Sequence, residues 1–107
     1  AMEDGAFEEA ASLFQQSIDV QQDRPEGQAK SMVRLADVHV QQGNRFKAIP
    51  LYREALKLDS DLYEAWYHLA TTLKREGHQE ASNAALEMFK TTRNRVRPDL
   101  KGTRFPE

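Results

Sequence analysis

Shifted by 34 residues, the chain falls on itself. Met32 lands on Trp66, Leu35 on Leu69 and Ala36 on Ala70. Gly43 lands on Gly77, Ala48 on Ser82 and Tyr52 on Leu86. In these pairs large apolar meets large apolar, small meets small, and the two glycines coincide. His39 against Leu73 and Ala55 against Phe89 are the poor matches. A repeat of this length constrains the fold more than composition does, because each unit must bury its open face on a neighbour.

The period divides in two. Residues 29–42 and 63–76 read as first helices, each closed by a glycine as helix C-termini often are. Residues 45–58 and 79–95 read as second helices. Asp59, Ser60 and Asp61 offer N-caps for the helix from 63. Ala36 and Ala70 are small where another helix must come close. One stretch opposes itself: "GNRFKAIPLYREALKLDSD" has helical apolar spacing, with Pro50 inside it. The register sets Pro50 against Ala84, off the seam formed by Ala48 and Tyr52. The stretch is therefore predicted to be one helix, kinked at a solvent-facing proline.

The N-terminal stretch "GAFEEAASLFQQSIDV" reads as a lone second helix, with Gly5 as the turn before it and its first helix upstream. Gly5 and Gly43 are 38 apart, so four extra residues are expected in a loop around "QQDRPEGQ", marked by Pro25 and Gly27. The expected divisions are 1–28 (second helix of an incomplete repeat plus loop), 29–62 and 63–96 (one repeat each), and 97–107 (an extended or disordered tail).

At these residues the chain resembles the tetratricopeptide repeat family. The W-x-x-L-A spacing stands as Trp66, Leu69 and Ala70, the turn glycine as Gly43 and Gly77, and A-x-x-x-Y-x-x-A as Ala48, Tyr52 and Ala55. His39 and Leu73 replace the first-helix tyrosine, and Ser60 stands where a proline is usual. The resemblance implies an all-α fold: antiparallel helix hairpins stacked as a right-handed solenoid, about two and a half repeats in about five helices. It also implies that the first helices line a concave groove holding a partner's peptide or helix. The groove residues so implied are Lys30, Val33, Arg34, Asp37, Val40 and Gln41 on one helix. On the next they are Glu64, Tyr67, His68, Thr71, Lys74 and Arg75, with Tyr67 as the anchor. Trp66 takes a seam place and is expected in the core. Lys30 and Arg34 match one step of the carboxylate clamp of chaperone-binding members; its other residues are missing.

Composition bears mainly on exclusions. With 107 residues the chain is one small domain with a modest core. It has no cysteine, so disulfides and thiolate metal sites are excluded. Residues 1–29 carry net −6 and residues 90–107 net +4, within a total of −2. Basic residues without interleaved aromatics, in a slightly acidic chain, argue against nucleic acid. No apolar run is long enough for membrane insertion and no secretory leader is read, so an intracellular, cytoplasmic protein is expected. His39, His68 and His78 lack metal-ligand spacing. His68 and His78 read as surface residues, and His39 as half-buried with a hydrogen-bond partner. No converging catalytic set or cofactor motif is found. The expectation is a non-enzymatic module binding another protein through its groove or an exposed end, with homo-oligomers formed by end-to-end stacking. The alternatives are a regulatory or oligomerisation appendage of a larger enzyme, and a co-chaperone binding chaperone tails.

Overall fold

The computed structural model describes residues 4–100. Five α-helices follow one another: α1 (Asp4–Val20), α2 (Pro25–Gln41), α3 (Arg45–Leu58), α4 (Tyr63–Arg75) and α5 (Gln79–Val96), then a 3-10 turn at Pro98–Leu100. No strand occurs among the described residues. Each helix packs on the next, most extensively within the pairs α2/α3 and α4/α5 and less between α3 and α4. This is an all-α helical repeat of about two and a half units.

The two hairpins close in the same way. Gly43 and Gly77 have φ of 82° and 85°, the left-handed region that costs a glycine nothing. Asn44 N–H donates to His39 O at 2.8 Å and His78 N–H to Leu73 O at 2.9 Å; Gly43 N–H donates to Val40 O and Gly77 N–H to Lys74 O, both at 3.0 Å. These paired six-to-one and five-to-two bonds satisfy carbonyls that a helix end leaves open. Within the hairpins, Ala36, Ala48 and Ala55 are wholly buried and let the helices approach. Tyr52, Leu56, Ala65, Leu69, Ala70, Leu73 and Ala85 complete the central core.

α3 runs unbroken through Pro50, which is exposed. The ring lies off the seam, and water can reach the Phe46 carbonyl that has lost its donor.

Several expectations need correction. The four extra residues are not in a loop. The linkers before α2 (21–24) and before α4 (59–62) are equally long, whereas α2 has 17 residues and α4 has 13. The insertion is thus one more helical turn at the start of α2. Pro25 is compatible because it sits at a first-turn position, where its missing N–H has no partner to lose. Gly27 lies inside the helix, where a Cβ would meet Gln21 Oε1 at 1.8 Å. Gln21 is held there by hydrogen bonds to Ser17 Oγ (2.6 Å) and Ser31 Oγ (3.3 Å), a polar layer between α1 and α2. Gly5 is no turn either: it lies in the first turn of α1. The residue capping α4 is Leu62, with no side-chain cap; Asp59 instead accepts the Asp61 N–H at 3.1 Å inside the linker. Finally, Pro98–Leu100 is a 3-10 turn packed on α5, not extended chain, and Arg97 grips Asp99 through two hydrogen bonds of 3.0 and 2.8 Å. The rest of the expected tail, 101–107, lies outside the described residues.

Candidate partner-binding groove

α2 and α4 present a groove in two sections. The first, about 420 Å³, is lined from α2 by Lys30, Val33, Arg34 and Asp37, and from the α4 side by residues 61–65 and His68. The second, about 290 Å³, is lined by Asp37, Val40, Gln41, Tyr52, His68, Thr71, Thr72 and Arg75. Asp37 and His68 border both.

Three helices are tied together at that border. Tyr52 of α3 is 1% exposed and donates its hydroxyl hydrogen bond to Asp37 Oδ1 of α2. His68 Nδ1 of α4 lies 3.1 Å from the same oxygen. The His68 ring meets Tyr52 edge-on, centroids 6.1 Å apart. Burial first, then the hydrogen bond to Asp37, pushes the Tyr52 phenol far above its usual pKa, so it remains a donor. The bond to Asp37 raises His68 above its ordinary value; burial opposes this, and the charges of Asp37 and Glu64 reinforce it. Asp37 Oδ1 thus serves as acceptor for both partners. The set braces the groove.

His68 keeps a partly exposed side chain, as the surface reading expects, and the brace adds a bonded partner that no spacing marks. Tyr52 was legible as a seam residue, but its hydroxyl partner was not. Ten of the twelve residues expected in the groove line one section or the other. Tyr67 and Lys74 line neither. Tyr67 packs on Phe89, centroids 5.3 Å apart, and Lys74 is exposed beyond the groove. The cause is Phe89 itself. It occupies the repeat position held by Ala55 in the other hairpin, and its ring engages both Tyr63 and Tyr67. Lys30 and Arg34 do face the groove, but they share that section with Asp61 and Glu64, which disfavours an anion there.

Trp66 is half-buried, not enclosed in the core. Its indole N–H donates to Ser60 O at 3.1 Å. It lines an apolar trough of about 420 Å³ on the other side of α4, together with Leu69 and Leu73; α3 and α5 form the walls. His39 is half-buried as expected and has a side-chain hydrogen bond with Gln42, while its Nδ1 is left without a partner. Burial, with the charge of Lys47 adding, lowers its pKa.

The tetratricopeptide repeat family's sequence model matches residues 29–62, from within α2 to the linker before α4. That stretch is matched as one tetratricopeptide repeat, and the all-helical hairpin fold around it agrees with such a repeat. Photosystem I assembly protein Ycf3 of Cyanophora paradoxa is 27% identical to it over 88 residues, 82% of this chain and 50% of that protein. The chain thus spans about half the length of the curated relative it matches. A tetratricopeptide repeat array is a scaffold for protein interaction, and the partners this family implies are proteins. Among the described residues no helix is long and apolar enough to cross a membrane. No group of three or more potential metal ligands occurs among them either.

Proposed function

We propose that this repeat scaffold holds a segment of a partner protein in the groove between α2 and α4, without catalysing a reaction on it. The observation that carries this is the brace at Asp37, Tyr52 and His68: it fixes both walls and the floor at the junction of the two sections. A pre-organised groove loses little entropy on binding. The walls carry both signs, Lys30 and Arg34 beside Asp61 and Glu64, which suits a segment of mixed charge over a purely acidic tail. The relative that bears the name of an assembly protein supports a role in bringing together the parts of a larger complex.

The test is affinity capture by the wild type and by Arg34→Glu combined with Thr71→Arg, one change in each section. The double variant, folded by circular dichroism, should lose the partners that the wild type retains. Capture of every partner by the double variant sinks the groove reading. A second mode, self-association at the α1 end, is favoured by Leu13 and Val20, which are 58% and 85% exposed. Light scattering at high concentration should then show species larger than the monomer, lost in Leu13→Glu.

A further inference from the structure

The trough behind α4 is unrelated to the groove. Its floor is Trp66, Leu69 and Leu73. One wall, from α5, is made of three alanines (81, 84 and 85) and Met88. The other, from α3, brings Leu56 with Arg53 and Lys57. No carboxylate lines it. Arg53 and Lys57 are exposed, one helical turn apart, and neither forms an ion pair among the described residues. Met88 is 43% exposed, an adaptable side chain at the lip.

We infer that this trough docks an amphipathic helix of a partner protein, with an apolar stripe seated on Trp66 and Met88 and carboxylates meeting Arg53 and Lys57. Four features select that occupant. Both walls are helices whose backbone groups are already bonded internally, so an extended peptide would find no backbone partners, while a helix brings its own. Alanines along α5 let a second helix come close, as Ala36 and Ala48 do inside the molecule. The unpaired cations on one rim favour an acidic flank and repel a basic one. Trp66, fixed by its bond to Ser60, offers a rigid aromatic surface of the type found at binding hot spots. The inference stands independently of the groove.

Trp66 is the sole tryptophan of the chain, so its fluorescence reports on this trough directly. The probes are three tryptophan-free designed helices: a leucine stripe flanked by Glu, the same stripe flanked by Lys, and the Glu-flanked helix with Ser in the stripe. The Glu-flanked helix should bind and shift Trp66 emission to the blue. The other two should bind at least about tenfold more weakly, the scale of one misplaced charge or one lost apolar anchor. Ala84→Arg, at an exposed position, should weaken binding by a similar factor, with Met88→Glu as the substitute if helicity changes. Arg53→Glu with Lys57→Glu should reverse the preference between the charged helices. Arg34→Glu should leave binding unchanged. Equal affinity for both charged helices, failure of the Glu-flanked helix to bind, indifference to Ala84→Arg and Met88→Glu, or loss in Arg34→Glu would each overturn the proposal. A blue shift that grows with protein concentration alone would assign the trough to a second copy instead. A red shift on removal of residues 101–107 would assign it to the chain's own tail.

Discussion

One helix, α4, separates two unlike surfaces. At about 100° per residue, Glu64, His68, Thr71 and Arg75 fall on one side, and Trp66, Leu69 and Leu73 on the opposite side. The groove side is polar, mixed in charge and braced by hydrogen bonds that span three helices. The trough side is apolar and bordered by unpaired cations, with Trp66 hydrogen-bonded to the Ser60 carbonyl. The lesson is that rigidity and stickiness have been separated: hydrogen bonds between helices fix the shape of the groove, while the trough has apolar area still open to burial.

The sharpest way to break this contrast is at Tyr52. Tyr52→Ala removes a side chain from the core and leaves Asp37 without its phenol partner. It should destabilise the fold by about 3–5 kcal/mol, read by urea denaturation. Tyr52→Phe should cost less and act only on the groove side, leaving Trp66 emission unchanged. A shift in that emission would mean that the two surfaces are coupled through α4.

Pro50 belongs to neither surface. An interior proline costs up to about 3 kcal/mol against alanine, so Pro50→Ala should raise the melting temperature and leave both the groove and the trough as they are. A drop in melting temperature would show that the proline's shape is needed in α3. Smaller effects are expected at the closures. Gly43→Ala and Gly77→Ala find no steric obstacle within 4 Å, so only the left-handed backbone penalises them. Each should cost about 1–2 kcal/mol. Clearly unequal costs would show that the two hairpins are not held alike.

The finest distinction is in pH. His68 has a raised pKa, so its stabilising contribution is complete below the unfolded-state value near 6.5 and is lost as pH rises through the folded value. His39 has a lowered pKa, so its contribution is complete above 6.5 and is lost as pH falls through the folded value. Melting curves of His68→Gln and His39→Gln from pH 5 to 8 should therefore diverge from wild type at opposite ends of the range. Parallel curves would show that neither histidine's surroundings differ between folded and unfolded chain.

The 34-residue register made the helices, their order and the glycine closures readable, because seam positions and left-handed turns admit few residue types. It also led to most of the groove, since residues facing the same way recur at helical spacing. What it could not show arose where one side chain displaces another. Phe89, a large ring at a position that is small in the preceding hairpin, draws Tyr67 away from the groove. The visible clue was the poor match with Ala55. The Asp37–Tyr52–His68 brace joins residues on three helices, and no local pattern marks it. Trp66 occupies a seam position by register, yet half of it faces the trough because the α5 wall opposite is built of alanines.

The extra turn of α2 has a wider consequence. Four residues advance a helix by about 400°, which returns it to within about 40° of its starting direction, and by about 6 Å along its axis. The array can therefore change length at this point without re-aiming any of the downstream seams. Growth at a helix start proceeds in quanta of one turn, and it alters the depth of one wall while leaving the alignment of the repeats untouched.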